Sequence, residues 1–289
     1  FGMASDYLWF EGIPFPQVEY RIENLRSVRD EFVVRDEDVI TLSYPKSGTH
    51  WVIEIISMIH SKGDSSWVQS VPNWDRSPWI ESTAGYERLK NQKGPRLFTS
   101  HLPIQLFPKS FFNSKAKAIY INRNPRDVIT SGFYYWRTIK HVRNPDTFEQ
   151  FFEWFLQGNV TFGSWFDHIN GWLQMRGKEN FMIISYEELH QDIRASVEKI
   201  SQFLGKKLGP EEFDSVLKNV SFEVMKNNKM SNFSLAPDSF VDHSKGKLMR
   251  KGVVGDWKHH FTVAQSETFD KIYKEKMAGL PQGLFPWES

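Results

Sequence analysis

The 289-residue chain contains no cysteine. It therefore has neither a disulfide framework nor a thiolate metal site, which fits a reducing compartment. Net charge is also nearly absent, because 36 Lys and Arg residues face 35 Asp and Glu residues. A surface that binds nucleic acid in general needs an excess of basic side chains to neutralise phosphates. The charge balance argues against such a surface but leaves room for a local basic pocket.

Long hydrophobic runs are missing as well. The longest candidate, WVIEIISMI, is interrupted by Glu54 and falls far short of the ~20 apolar residues that span a bilayer. The first residues include early acids and lack a basic region followed by an apolar segment, so we expect no signal peptide. Phe1 and Gly2 precede a methionine and are interpreted as a cloning remnant. The sequence thus predicts one domain over residues 3–289.

Aromatic residues are abundant, with 24 Phe and 11 Trp. They indicate either a large aromatic core or an apolar ligand pocket. Composition alone favours the core.

Strand patterns alternate with helical patterns along most of the chain. Strands are predicted at 39–44, 96–100, 117–122 and 180–185, and helices at 49–62, 125–139, 147–157, 163–176, 191–204, 210–218 and 262–277. Trp51, Ile55, Met58 and Ile59 share one helix face, and Thr262 with Gln265 forms a capping-box pattern. This alternation predicts an α/β fold with a central parallel sheet flanked by helices. The stretch 228–256 is a long irregular segment, which in a compact domain is usually functional or disordered.

The stretch YPKSGTHW (44–51) joins a predicted strand to a predicted helix. Gly48 permits tight curvature, Lys46 adds a positive charge, and the helix start offers unpaired N–H groups. These features suit an anion. The stretch is not a Walker A loop, because its lysine precedes the glycine and the upstream glycine is missing. An ordinary strand–turn–helix with a surface lysine is the alternative.

Three further motifs contain candidate functional residues, two of them basic and one a candidate general base. Arg123 follows a strand and could share a phosphate with Ser131, unless Arg123 or Arg126 instead pairs with Asp127. MRKGVV brings together Arg250, Lys251 and Gly252, for which a solvated basic turn is the alternative. His101 follows a strand and could be a general base, although a lone histidine is more often structural.

The motifs YPKSGT, SHLP, RNPRD and RKG, in this order, resemble the cytosolic sulfotransferase family. LWFEGIPFP, SHLPIQLFPKSFF, WFDHINGW and FTVAQSE are similar to its hydroxysteroid and bile-salt (2A) branch, and the resemblance covers nearly the whole chain. It implies an enzyme of the cytosol that transfers a sulfuryl group from 3′-phosphoadenosine 5′-phosphosulfate (PAPS) to a hydroxyl of a steroid or bile acid. The expected products are a sulfate ester and adenosine 3′,5′-bisphosphate (PAP).

The resemblance also implies a binding site for PAPS. The residues implied to bind the 5′-phosphosulfate are Lys46, Ser47, Gly48 and Thr49. Those on the adenine side are Trp51, Tyr186 and Phe222. Those implied to hold the 3′-phosphate are Arg123, Ser131, Arg250, Lys251 and Gly252. The family's loop near 220–225 is matched at Ser221 and Met225. His101 would be the general base, and Lys46 with the helix N-terminus would stabilise the leaving phosphate oxygen, so no metal is needed.

Two surfaces follow from the same resemblance. The segments that line the acceptor site in relatives correspond here to Pro16, Trp74, Trp79, Phe133, Tyr134 and Phe233. Core packing is the alternative for any one of them. KHHFTVAQSE resembles the family's dimer motif, with matches at Lys258, Thr262, Val263 and Glu267. A motif this short implies a small interface and a weak homodimer, and a simply capped helix is the alternative.

His50 departs from the family pattern, because relatives usually carry Asn or Thr at this position. Three interpretations compete. His50 can replace the usual hydrogen-bond donor, add positive charge to the phosphosulfate loop, or act as a second or alternative base. It is therefore counted with the PAPS-binding residues and as a candidate catalytic residue.

Two other function classes are compatible with parts of this pattern. A nucleotide kinase could use the phosphate loop, but the Walker glycine and an evident Mg²⁺ signature are missing. A steroid or bile-acid carrier could bind nucleotide without turnover. The presence of both Lys46 and His101 argues against a carrier.

Overall fold

The centre of the protein is a parallel sheet of four strands. The computed structural model describes residues 7–232, 235, 244 and 252–288. Its strands in chain order are β1 Leu8–Phe10, β2 Ile13–Phe15, β3 Val39–Ser43, β4 Leu97–Ser100, β5 Lys117–Asn122 and β6 Phe181–Ser185. The sheet has the order β4-β3-β5-β6, and Ile40 pairs with Phe98 on one side and Ala118 on the other. The four predicted sheet strands are confirmed to within one residue. The antiparallel hairpin β1–β2 was not predicted, because its strands have only three residues each and β2 contains a proline.

Helices of very different length surround the sheet. In chain order they are α1 Ile22–Asp30, α2 Thr49–His60, α3 Ser66–Ser70, α4 Asn73–Arg76, α5 Thr83–Asn91, α6 Pro125–Trp136, α7 Phe148–Gln157, α8 Trp165–Trp172, α9 Tyr186–Gln191, α10 Ile193–Phe203, α11 Pro210–Asn219, α12 Phe222–Asn227 and α13 Val263–Lys276. Every predicted helix is present, and the capping box of Thr262 and Gln265 is confirmed. The predicted helix 163–176 is shorter, since α8 ends at Trp172 and a 3₁₀ turn follows. No described helix is long and apolar enough to cross a membrane.

Two hydrophobic clusters cover the two faces of the sheet. Residues of β5 alternate between them, with Tyr120 in the first cluster and Ile119 and Ile121 in the second. The first cluster takes its helical residues mainly from α6, α7 and α8, and the second from α2, α10 and α11. The predicted apolar face of α2 belongs to the second cluster. The sheet is therefore flanked by helices on both faces, as the alternating pattern predicts.

Parallel strands bring their carboxyl ends to one edge of the sheet, and the predicted motifs follow these ends. The phosphate loop comes after β3, His101 directly after β4, Arg123 directly after β5, and Tyr186 directly after β6. This is the edge at which open α/β sheets bind ligands. The topology thus gathers residues that are up to 140 positions apart in the chain, from Lys46 to Tyr186.

Candidate active site

A cavity of about 460 Å³ lies at this edge of the sheet. The predicted site residues that line it are Pro16, Lys46, Gly48, Thr49, His50, Trp51, Trp74, Trp79, His101, Arg123, Ser131, Tyr186, Phe222, Met225 and Gly252. Lining residues that were not predicted include Tyr20, Arg88, Tyr135, Trp136 and Phe162. Phosphate-loop residues, the candidate base and aromatic side chains therefore share one cavity.

The phosphate loop has a backbone shape that glycine makes feasible. Gly48 caps the N-terminus of α2 with φ of 102°, in the left-handed region. A Cβ atom at Gly48 would lie 2.8 Å from Tyr186 Cδ1 and 2.9 Å from Ile121 Cδ1. Lys46 is also left-handed, with φ of 68°, and its carbonyl accepts a hydrogen bond of 3.0 Å from Arg123 Nη1. Arg123 thus links the loop after β5 to the phosphate loop.

Two polar atoms of this region are buried and lack a hydrogen-bond partner within the described part of the chain. They are Ser47 Oγ and Arg123 Nε. Leaving such a group unpaired costs about 1–3 kcal/mol, and an anionic ligand with acceptor oxygens removes that cost. The helix N-terminus and Lys46 add favourable charge. The loop therefore fits a phosphate-bearing ligand.

The positive charge of Lys46 is held beside the cavity. Its Nζ lies 4.6 Å from the centroid of the Tyr135 ring, within the range of a cation–π contact. The same charge contributes to lowering the pKa of His50 and of His101. Lys46 therefore acts electrostatically on both histidines.

Aromatic rings also line the cavity, among them those of Trp51, Tyr186 and Phe222. The Trp51 indole N–H donates to the Val220 carbonyl at 2.8 Å, and its ring lies edge-on to Tyr186 with centroids 5.6 Å apart. A Cβ atom at Gly252 would lie 2.2 Å from the Phe222 ring, so only glycine allows this close approach. The site thus presents rings that suit a nucleobase.

His101 is held in one tautomer. Its Nδ1 lies 2.9 Å from the Ser43 carbonyl oxygen, which can only accept, so Nδ1 carries the proton. Nε2 is then left with a lone pair. Burial, with a smaller contribution from Lys46, lowers the pKa of His101 to about 4 although the Ser43 hydrogen bond opposes this shift. His101 is therefore neutral at physiological pH and has the form of a base.

Two buried residues that sequence reasoning missed hold the backbone of His101. The Glu81 carboxylate accepts a 2.8 Å hydrogen bond from the His101 N–H and another from Ser100 Oγ, and burial raises its pKa to about 7. His168 Nε2 donates to the His101 carbonyl at 3.0 Å while Tyr120 O–H donates to His168 Nδ1 at 2.9 Å. Glu81 lies outside the motifs quoted above, and His168 lies within WFDHINGW, a stretch to which the resemblance assigns no role in the site.

His50 is uncharged in this environment. Burial, Lys46, His101 and Arg76 all lower its pKa well below the ordinary value. Its Nδ1 lies 3.0 Å from Asn73 Nδ2. The Trp79 ring contacts both histidines, with centroid distances of 5.6 Å to His50 and 5.8 Å to His101. The interpretation that His50 adds positive charge to the loop is therefore disfavoured. The two remaining interpretations are that His50 donates a hydrogen bond and that it acts as a second base.

The structure corrects part of the predicted acceptor pocket. Phe133 and Tyr134 do not line the cavity, whereas Tyr135 and Trp136 do. Phe133 packs against Phe148 with a centroid distance of 5.7 Å, and the Tyr134 hydroxyl lies 2.7 Å from His260 Nε2. The packing of α6 against neighbouring elements thus turns both side chains away from the cavity.

Several other predicted residues have a different or undescribed position. Ser47 and Ser221 do not line the cavity. Ser221 caps α12 instead, by accepting from the Val224 N–H at 3.3 Å. Phe233, Arg250 and Lys251 lie outside the described residues. Among the described residues, no group of three or more His, Cys, Asp or Glu side chains could hold a metal ion.

The predicted dimer residues lie at the surface around the start of α13. Lys258, Thr262, Val263 and Glu267 are all exposed. Val263 is the most exposed of the large apolar side chains described, at 76%.

Comparison with known proteins decides the family. Residues 36–281 match the model of the Sulfotransferase domain. The chain belongs to the sulfotransferase family. It is 63% identical over 286 residues to Sulfotransferase 2A1 of Macaca fascicularis, covering 99% of this chain and 100% of the relative. It is 62% identical to the 3-beta-hydroxysteroid sulfotransferase of Cavia porcellus, with 99% of each chain covered. The predicted hydroxysteroid branch is confirmed for this sulfotransferase.

A solved structure supports the fold of the sulfotransferase. Mouse sulfotransferase SULT7A1 complexed with PAP superposes with a TM-score of 0.78 at 33% sequence identity, covering 94% of this chain and 95% of the mouse chain. The predicted single α/β domain with a central parallel sheet is thereby confirmed.

Proposed function

We propose that the enzyme transfers the sulfuryl group of PAPS to a hydroxyl group of a steroid or bile acid. The observation that carries this proposal is the single cavity that joins the phosphate loop, His101 and an aromatic lining. The relatives named as hydroxysteroid sulfotransferases support a steroid acceptor. The bile-acid alternative rests on the sequence resemblance.

The residues present fit PAPS at both ends of the cavity. The loop from Lys46 to Thr49 suits the phosphosulfate, because Lys46 brings a positive charge to the cavity lining and the N-terminus of α2 begins there. Trp51, Phe222 and Tyr186 suit the adenine. The 3′-phosphate is assigned to Arg123, Ser131, Arg250, Lys251 and Gly252, of which Arg123, Ser131 and Gly252 line the cavity. When bound, PAPS supplies an activated sulfuryl group.

His101 and Lys46 have complementary roles in the transfer. As the acceptor oxygen forms its bond to sulfur, the lone pair on His101 Nε2 takes the hydroxyl proton. The bond from sulfur to the phosphate oxygen breaks, and Lys46 stabilises the negative charge that develops on this oxygen. Because the pKa of His101 is about 4 without ligand, the anionic co-substrate strengthens the base by raising that pKa.

The direct test is PAPS-dependent sulfation of a steroid alcohol and of bile acids that differ in hydroxyl position. We expect sulfated product, and we expect His101→Ala to lower turnover by roughly 10²–10⁴-fold while PAP binding is retained. His50→Asn should keep most of the activity. Loss in His50→Asn together with an active His101→Ala would show that the base is misassigned.

Two outcomes of that assay would replace the proposed function. PAP and acceptor binding without any product from any acceptor would favour a carrier. A requirement for Mg-ATP, with PAPS left intact, would favour a kinase.

We also propose a weak homodimer through residues 258–267. An apolar side chain as exposed as Val263 fits the centre of a small interface. Val263→Glu should shift the protein to monomers in sedimentation velocity, while Glu275→Lys, farther along α13, should not. A dimer that persists in Val263→Glu would refute this interface.

The cytosolic location implied by the family resemblance is a further proposal. Fractionation of cells that express the chain tests it, and recovery in a membrane or secreted fraction would contradict it.

A further inference from the structure

Asn73 makes a direct polar contact with His50. Asn73 begins α4, its side chain is fully buried, and its Nδ2 lies 3.0 Å from His50 Nδ1. His50 belongs to the first turn of α2 and lines the cavity beside Lys46. A buried amide from a separate helix thus faces the one phosphate-loop side chain that departs from the family pattern.

The orientation of the Asn73 amide is defined by a second acceptor. The Ser231 carbonyl oxygen lies 3.4 Å from the same Nδ2 atom. If the amide were turned by 180°, its oxygen would face this carbonyl, which is repulsive. The Asn73 N–H donates to the Met230 carbonyl at 2.8 Å and fixes the residue beside this segment. The amide NH₂ therefore points at His50, and His50 Nδ1 accepts.

The cost of this arrangement is visible in the structure. Asn73 Oδ1 is buried without a hydrogen-bond partner among the described residues. An unpaired buried carbonyl is unfavourable, so an apolar residue would suit the position better on stability grounds alone. The contribution of Asn73 that offsets this cost is its NH₂ group.

The segment that carries the Ser231 carbonyl is itself held rigidly. Ser231 Oγ donates to Glu54 Oε2 at 2.6 Å, and Glu54 forms a buried ion pair of 2.8 Å with Arg76. Arg76 and Asn73 share α4, and Glu54 and His50 share α2. The geometry between Asn73 and His50 is thus fixed from both helices.

We propose that Asn73 is a positioning residue that sets the tautomer of His50, so that His50 acts on the transferring group as a hydrogen-bond donor. With Nδ1 accepting from Asn73, the proton of the neutral ring lies on Nε2. The lone pair of His50 is used by Asn73, so His50 is not a second base. This proposal rests on the proposed sulfuryl transfer, in which the donor suits the oxygens near Lys46.

The tautomer can be measured without turnover. In protein with ¹⁵N-labelled histidine, long-range ¹H–¹⁵N spectra distinguish a protonated from an unprotonated ring nitrogen, and the His50→Asn spectrum assigns the signals. We expect wild-type His50 to be unprotonated at Nδ1 and protonated at Nε2. In Asn73→Asp the carboxylate accepts, so Nδ1 becomes protonated. A proton on Nδ1 of the wild-type ring would overturn the proposal.

Kinetics test the role in transfer. Asn73→Leu, which removes the amide donor, should lower kcat by about tenfold with little change in the KM for PAPS, and it should have no further effect in a His50→Asn background. An equal loss in both backgrounds would mean a merely structural role and would overturn the proposal.

A matched control separates positioning from loosening of the segment. Asn228→Leu removes a half-buried amide of the same segment, which donates to the Val68 carbonyl and to Ser231 Oγ. It should leave the His50 tautomer unchanged. A changed tautomer in this control would show that the segment, and not Asn73, determines the tautomer of the His50 ring. An inactive wild type with the expected tautomer would instead refute sulfuryl transfer.

Discussion

At the scale of single residues, the chemical state of His101 is determined by contacts from other segments of the chain. His101 could be predicted as a base because it follows a strand within a recognisable motif. Its tautomer depends on the Ser43 carbonyl, and its backbone is held by Glu81 and His168, which come from other segments. Such contacts depend on the fold, so no pattern around position 101 could reveal them.

The state of His101 leads to a prediction about pH. A general base must be unprotonated, so activity falls as pH falls through its pKa. Burial lowers the pKa of His101 to about 4 in the enzyme without ligand. The kcat/KM for PAPS reports this free form, so it should stay high well below pH 6.5 and decline only towards pH 4. A rate profile of the folded enzyme, checked by circular dichroism at each pH, measures this. A limb near pH 6.5 that persists in Glu81→Gln would contradict the buried state of His101.

Glu81 provides the control for this profile. Burial raises the pKa of Glu81 to about 7, so the titration of this carboxyl can add a second change in kcat/KM near neutral pH. Glu81→Gln removes that titration and should leave the limb near pH 4 in place.

At the scale of secondary structure, periodicity predicted every strand of the central sheet and every helix of ten residues or more, but it missed the nine-residue helices α1 and α5. It failed where elements are too short to show a period, as in the hairpin β1–β2 and in α3 and α4. It also failed for Phe133 and Tyr134, because partners in other elements decide which side chains of α6 reach the cavity. The direction in which a helix turns its aromatic residues is a property of packing.

The buried ion pair between Glu54 of α2 and Arg76 of α4 connects two such elements. Both side chains are at most 1% exposed. Arg76→Ala leaves the Glu54 carboxylate buried without its partner, so the free energy of unfolding should fall by about 3–5 kcal/mol. Urea unfolding measures the change.

Lys109→Ala is the matched control for Arg76→Ala. Lys109 forms an ion pair of 3.1 Å with Asp30 but is 73% exposed. Its removal should cost about 0–1 kcal/mol. Similar losses in the two variants would show that burial of the Glu54–Arg76 pair does not matter.

At the scale of the whole molecule, the cavity joins the two hydrophobic clusters. Trp51, Tyr186 and Met225 belong to one cluster, and Trp136 and Phe162 to the other, yet all five line the cavity. A ligand that fills the cavity would therefore touch elements from both faces of the sheet. Binding should stabilise the protein as one unit and not merely order a local loop.

This coupling can be measured with PAP. At 100 times its Kd, PAP should raise the free energy of unfolding by about 2.7 kcal/mol, which for a chain of this length corresponds to a rise in Tm of roughly 4–5 °C. Gly48→Ala should abolish the rise, because its Cβ would lie 2.8 Å from Tyr186 at a φ of 102°. Gly279→Ala should keep it, since a Cβ at Gly279 meets no atom within 4 Å. Of these two glycines, Gly48 shapes the backbone on which the proposed phosphosulfate site depends. An equal rise in Tm in Gly48→Ala and Gly279→Ala would therefore mean that PAP binds away from the phosphate loop.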